Sequence, residues 1–425
     1  MGKSRRRNKR QTNGWIATMS NSLFYKILIG IFVIILICVF IMGIRFYQDK
    51  QEMAKQKETL EKQLEAIFET KVEVADNIDN KETQEQEDTV VNIAVVGDIL
   101  CGNEMLTDAK TTDDYDFTSM FGEISKYVET ADIAIGTMET NFTQDAYSGY
   151  GKCNSPKSFA EAVKKTGIDL VSTAHNHSLD YGQTGAKTTK KVLQELGYTV
   201  VGTKGMLEEK NYVVKEVKGI KIAFLAYTYG FSNAEDLSTQ EVQYVNQFSQ
   251  TQAKQDLEQA SQEADYLCVM MHWGEINSTN ASKEQEQIAD FLVENGANMI
   301  VGAHPAVIEP MQIKQNAQGE NVFISYSVGN YISSLGYENA NLEMILNIQI
   351  RKQSKTGKVV LEKVTYTPIY MVDRGEKAEN RFVLMDMKET ARRYASGETN
   401  LITKKIYNQL ITGLEKLEEI IRRKS

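Results

Sequence analysis

Short apolar runs that end on a polar residue recur along the chain from Val90 onward. Residues 91–96 lead into Gly97 and Asp98, residues 131–135 precede Glu139, and residues 168–172 precede His175. Residues 266–270 precede His272 and residues 299–301 precede His304. Such runs read as buried strands. Helical stretches lie between them at residues 158–166, 183–196 and 284–295, so the pattern predicts an α/β fold whose site lies at the carboxyl edges of the strands. A second set of strands, at residues 212–217, 221–227, 322–327, 342–350 and 359–369, lacks the polar ending. It includes hairpin-like pairs around Lys218-Gly219 and Lys355-Thr-Gly357, which predicts a mixed sheet or a pair of packed sheets rather than a purely parallel one. Beyond about residue 388, Ile402, Ile406, Leu410, Leu414, Leu417 and Ile420 fall at helical spacing. They predict an amphipathic helix docked on the domain, with a partner-binding helix as the alternative.

The N-terminus carries a different pattern. Lys3, Arg5, Arg6, Arg7, Lys9, Arg10 and Lys26 precede an uncharged run over residues 27–44, about 18 residues or roughly 27 Å of helix, enough to span a bilayer core. No small-residue cleavage site follows it, and Arg45, Phe46 and Tyr47 suit an interface, so the run reads as a retained signal anchor. Basic residues stay cytoplasmic, which places the chain after Tyr47 on the outer side of a single-pass membrane protein. The expected organisation is a basic cytoplasmic tail (1–24), a transmembrane anchor (25–47), a charged stalk and linker (48–89), a folded domain (90–375) and a helical tail (376–425). A weak heptad-like stripe through Met53, Leu60, Leu64, Ile67 and Phe68 fits a short membrane-proximal helix or coiled coil.

Charge and cysteines exclude several classes. The seven basic residues ahead of the apolar run leave −16 on the remainder of a chain whose total is −9. An acidic outer portion is a poor nucleic-acid binder, and a polyanionic substrate would need a local basic patch or a metal. Of the four cysteines, Cys38 lies in the apolar run, and Cys101, Cys153 and Cys268 form no CxxC or zinc spacing. A disulfide framework and a zinc finger are both unsupported.

All four histidines of the chain, at 175, 177, 272 and 304, sit at strand ends in short polar motifs. Asp98, Glu139, Asn176, His272 and His304 offer two carboxylates, an amide oxygen and two imidazoles, a mixed set that suits manganese, iron, zinc or magnesium. His175 is a further candidate ligand. His177 is a candidate general acid or ligand, while Asp180 and Glu275 are candidates to orient the histidines from behind. Each also has an ordinary structural reading: Asp98 and Asp180 as caps, Asn176 as a turn residue, Glu139 as a solvated carboxylate, Trp273 as packing.

Taken in order, Gly97-Asp98, Met138-Glu139, His175-Asn-His177-Ser-Leu-Asp180-Tyr-Gly182, His272-Trp-Gly-Glu275, Gly302-Ala-His304-Pro305 and Tyr326-Ser-Val-Gly-Asn330-Tyr331 resemble the bacterial capsule-synthesis CapA family, associated with poly-γ-glutamate. That family is similar to calcineurin-like metallophosphoesterases. The resemblance implies a metallophosphatase-like sandwich of two mixed sheets flanked by helices, a two-metal site that includes Asp98, Glu139, Asn176, His272 and His304, and His177 as the acid near the leaving group. The chain departs from the family pattern at Thr137, His175 and Ala306; at Ala306 a potential imidazole ligand is missing, and His175 is the candidate to replace it. The expected function is a membrane-anchored extracytoplasmic protein acting in synthesis, export or anchoring of an anionic capsule polymer, as a metal-dependent hydrolase of a phosphoester or γ-glutamyl amide. The alternative is a non-catalytic scaffold or polymer-binding subunit. Expected partners are the polymer, membrane lipid and other capsule synthase subunits, with no nucleic acid.

Overall fold

The computed structural model describes residues 21–68 and 87–423. The basic tail and most of the linker expected from the sequence lie outside the described residues. A single helix, Asn21–Phe68, covers the segment expected to be the anchor and the first part of the expected stalk. Its segment Leu28–Gln48, 21 residues of mean hydropathy 2.9, is long and apolar enough to cross a membrane.

From residue 87 the chain builds two mixed sheets. Strands β1 (Thr89–Ile99), β2 (Ile133–Met138), β3 (Leu170–Ser172) and β4 (Thr199–Val201) begin the first. The second consists of β5 (Tyr212–Val217), β6 (Ile220–Thr228), β7 (Tyr266–His272), β8 (Met299–Ala303), β9 (Met311–Gln315) and β10 (Asn321–Ser325). Strands β11 (Asn330–Ile332), β12 (Leu342–Lys352), β13 (Val359–Asp373) and β14 (Phe382–Asp386) then return to the first. The orders are β14-β13-β12-β1-β2-β3-β4, with β11 beside β1, and β5-β6-β7-β8-β10-β9. β1 to β4 run parallel, as do β6, β7, β8 and β10, while β12 to β14 and the edge strands β5 and β9 are antiparallel. The two hairpins read from the sequence are both present: Lys218 and Gly219 take φ of 49° and 76° between β5 and β6, and Gly357 takes 71° between β12 and β13.

Alternation along the strands sets the layers. Ala94 and Val96 of β1 pack with Phe117, Phe159 and Val163 on one outer face, while Leu225, Val269 and Ile300 pack with Leu257, Leu292 and Trp273 on the other. The intervening residues Ile93, Val95, Phe224 and Met270 are equally buried but belong to neither outer cluster. They fill the space between the sheets, giving a helix-sheet-sheet-helix sandwich. Trp273 is a packing residue, its indole N–H donating to the Tyr326 carbonyl at 2.8 Å.

Parallel order brings the carboxyl ends of β1, β2 and β3 together in one sheet and those of β7 and β8 together in the other. Two close approaches hold the seam. A Cβ on Gly97 would fall 1.9 Å from the Gly329 carbonyl oxygen, and one on Gly302 would fall 1.7 Å from that of Tyr326, so neither position accepts a side chain. Residues 376–425 supply both the edge strand β14 and the helix Lys404–Ile421, whose Leu410, Leu414, Leu417 and Ile420 are buried at the helical spacing read from the sequence.

Candidate metal centre

The strand-end residues converge. Asp98 is the penultimate residue of β1, Glu139 follows β2, and Asn176 lies in the turn after β3; His272 closes β7 and His304 follows β8. The Nε2 of His272 lies 2.8 Å from Asn176 Oδ1, 3.1 Å from His304 Nδ1 and 3.6 Å from Glu139 Oε1. Ligand atoms of Glu139, His272 and His304 all fall within 4.8 Å of one another. Asp98 closes the floor: its Oδ2 accepts the His304 backbone N–H at 2.8 Å, and its Oδ1 is 3.6 Å from His272 Nδ1. Asn176 is turned correctly for a ligand, because its amide NH₂ donates to Ser232 Oγ at 2.7 Å and leaves the carbonyl oxygen facing inward.

Several observations show that this set fits a divalent cation. The atoms Asp98 Oδ1, His272 Nδ1 and His175 Nδ1 are buried without a hydrogen-bond partner, an arrangement that costs about 1–3 kcal/mol per group when nothing compensates. His304 holds a φ of 99°, a strained backbone of the kind retained where a side chain must be aimed. Two carboxylates, an amide oxygen and two imidazoles form a mixed donor set for manganese, iron, zinc or magnesium.

Electrostatics point the same way. Burial works against a charge on His272, but the carboxylates of Asp98 and Glu139, each 3.6 Å from its ring nitrogens, outweigh it and lift its pKa to about 9. The two carboxylates thus attract positive charge to this point, and a cation would take the place of that proton, leaving His272 neutral as a ligand. Burial and the neighbouring His272 charge push His304 down to about 3. Asp98 is raised by its burial and by Glu139; Glu139 is lowered, since its interactions with His272 overcome its own burial.

His177 stands beside this cluster, partly buried. Its Nδ1 lies 2.9 Å from Asp180 Oδ2, which also accepts the Cys153 backbone N–H at 3.0 Å. Asn141 donates to the His177 carbonyl at 2.8 Å. Burial lowers the His177 pKa, yet the Asp180 hydrogen bond and the Glu139 charge prevail and raise it. The ring is therefore fixed at Nδ1, leaving Nε2 as its free nitrogen. Cys153 completes a second close group with His177 and Asp180, but burial pushes its thiol pKa far upward, and it serves as neutral support.

His175 is buried, its ring 6.0 Å from that of His272, adjacent to the converging set yet outside the trio within 4.8 Å. Glu275 does not orient a histidine: it is exposed and hydrogen-bonds to none of them. The cause is Gly274, whose φ of 89° turns the chain outward after His272. Ala306 is buried at a φ of 59°.

Three contributors were not singled out from the sequence. Tyr229 packs against His304 with the rings tilted by 51°, their centroids 5.0 Å apart and its hydroxyl 3.3 Å from Nε2. It follows β6 and precedes Gly230, the same strand-then-polar grammar, and that signal could have found it. Asn330, quoted in a motif but given no role, donates to both Ala306 O and Ala340 O at 3.0 Å. Glu309 is fully buried behind the His272 and His304 loops, accepting from Gln285 Nε2 at 2.7 Å.

The family described as bacterial capsule synthesis protein PGA_cap matches residues 92–335, over half of the chain. This chain belongs to that family. Every residue of the strand-end cluster lies inside the matched PGA_cap segment. The capsule biosynthesis protein CapA of Bacillus anthracis is 27% identical over 290 residues, 66% of this chain and 68% of that protein. The PGA biosynthesis protein CapA of Bacillus subtilis (strain 168) is 26% identical over 287 residues, 64% of this chain and 70% of that protein. Among solved structures, the calcineurin-like phosphoesterase YfkN from Bacillus subtilis aligns over 78% of this chain and 100% of its own at 12% identity, with a TM-score of 0.43. The chemistry of the PGA_cap site here rests on its own residues.

Proposed function

We propose that this PGA_cap-family chain is a membrane-anchored extracytoplasmic protein acting on an anionic capsule polymer, poly-γ-glutamate, during its synthesis, export or anchoring, through a metal-dependent hydrolytic centre. The observation that carries the catalytic part is the convergence of Glu139, His272 and His304 over a buried Asp98 with an unpaired oxygen. The helix spanning Leu28–Gln48 and the basic residues ahead of it support the anchor, with the folded portion outside.

A divalent cation held by Asp98, Glu139, Asn176, His272 and His304 would supply Lewis-acid polarisation of an oxygen and acidify a bound water. The chain's own residues do the rest. Asp98 and Glu139 concentrate negative charge where the cation sits, Asn176 is pinned by Ser232, and His304 is held by the Asp98 carboxylate. His177, kept protonated toward neutral pH by Asp180, presents Nε2 as the acid for a leaving oxygen or nitrogen. A phosphoester and a γ-glutamyl amide both require these parts.

One observation favours a second reading. Ala306 stands where the family resemblance places an imidazole, and a site short of one ligand suits a polymer-binding scaffold. Capsule output separates the two: His272→Ala in a folded, membrane-bound protein abolishes polymer production on the catalytic reading, whereas normal output contradicts it.

A further inference from the structure

A cleft of about 480 Å³ lies between the loop at residues 337–342 and the helix Lys404–Ile421, within the roughly 300–1,000 Å³ typical of ligand sites. Its described lining includes Tyr337, Asn341, Lys405, Asn408, Gln409 and Lys416 and no acidic residue. That is notable on a chain whose portion beyond the anchor is strongly acidic. Lys416 holds Glu338 at 3.0 Å at the rim; Lys405 is exposed and makes no ion pair among the described residues.

The cleft is tied to the metal centre by two connections. At the lip, the Tyr337 hydroxyl is 3.2 Å from that of Tyr150, and Tyr150 belongs to the loop whose Cys153 N–H holds Asp180. Beneath it, Asn330 donates both to Ala306 O in the His304 loop and to Ala340 O in the cleft loop. Tyr150, paired to Tyr337 at that lip, is exposed. Cations match carboxylates, side-chain amides match a polyamide backbone as donor and acceptor, and tyrosine faces match its methylenes.

We propose that this cleft is a binding subsite for the carboxylate-bearing polyamide chain, guiding it over Tyr337 and Tyr150 to the strand-end cluster. The proposal rests on the function given above and assigns it a substrate path.

The test titrates full-length protein in detergent with fluorescein-labelled oligo-γ-glutamate and with oligo-γ-glutamine of equal length, read by anisotropy. The glutamate chain is expected to bind more tightly, and Lys405→Glu to weaken it by roughly five- to tenfold, the effect of reversing one partly exposed charge. Bound metal should be unchanged, and Lys254→Glu, at an exposed position of the separate helix Gln250–Ala260, should leave affinity intact. Equal affinity for the two chains, or no loss in Lys405→Glu, overturns the subsite. The two readings fail separately. Loss of capsule in His272→Ala with wild-type binding by Lys405→Glu removes the subsite alone, while weakened binding by Lys405→Glu beside normal capsule in His272→Ala removes hydrolysis and leaves the subsite standing.

Discussion

Glu309 makes the fold itself pH-sensitive. Its carboxyl is fully buried behind the metal loops, with Oε2 accepting from Gln285 and Oε1 without a partner. Burial pushes its pKa up to about 8 from an ordinary 4.5, against the Gln285 hydrogen bond and with help from the Glu275 charge. A carboxyl raised on folding contributes stability that is complete below pH 4.5 and disappears as pH rises through the folded value near 8. Between pH 4.5 and 7 the native state keeps a proton that the unfolded chain has lost, and at ~1.4 kcal/mol per pH unit the forfeited stability is on the order of 3 kcal/mol. Glu309→Gln keeps an acceptor for Gln285 and removes the titration. Urea unfolding of metal-stripped full-length protein between pH 5 and 8 should show the variant with a flatter profile. At pH 8 the variant should exceed wild type by ~4 kcal/mol, the gap closing toward pH 5. Parallel profiles would refute the argument that this acid is held neutral.

Three further perturbations follow from the site and the core. His177→Ala should slow polymer processing by about 10²–10⁴-fold, the usual contribution of a general acid, with metal content unchanged. Asp180→Asn removes a group that raises the His177 pKa, so the alkaline limb of the pH–activity profile should move to lower pH; an unmoved limb would show that Asp180 does not act through His177. In β12, Glu343 is fully buried with both carboxylate oxygens unpaired, and burial holds its pKa well above the ordinary range. Glu343→Met should stabilise the protein by about 1–3 kcal/mol near pH 8, seen as a higher Tm, and a lower Tm would contradict this.

Much of the architecture was legible because it is local. Continuous apolar runs, a polar residue at each strand end and the Lys218-Gly219 turn are written in adjacent residues, so the mixed sheets and the places of Asp98, His272 and His304 could be read directly. What failed or was missed depends on contacts far along the chain. Glu275 looked suitable three residues after His272, but the left-handed Gly274 turns it to solvent. The acid that does lie behind those loops, Glu309, is buried by a hydrogen bond from Gln285, 24 positions away. Tyr229 meets His304 from 75 positions away, Asn330 acts across the seam between sheets, and the cleft beside Lys405 exists only because the final helix packs against a loop more than sixty positions earlier.

The central claim is that separate strand ends form one cation site, and metal binding tests it most directly. Elemental analysis and calorimetric titration of the full-length protein with manganese and zinc should find stoichiometric binding in wild type, abolished in His272→Ala and His304→Ala. His175→Ala should lower affinity if that imidazole stands in for the one missing at Ala306. Wild-type stoichiometry and affinity retained in both His272→Ala and His304→Ala would contradict the account.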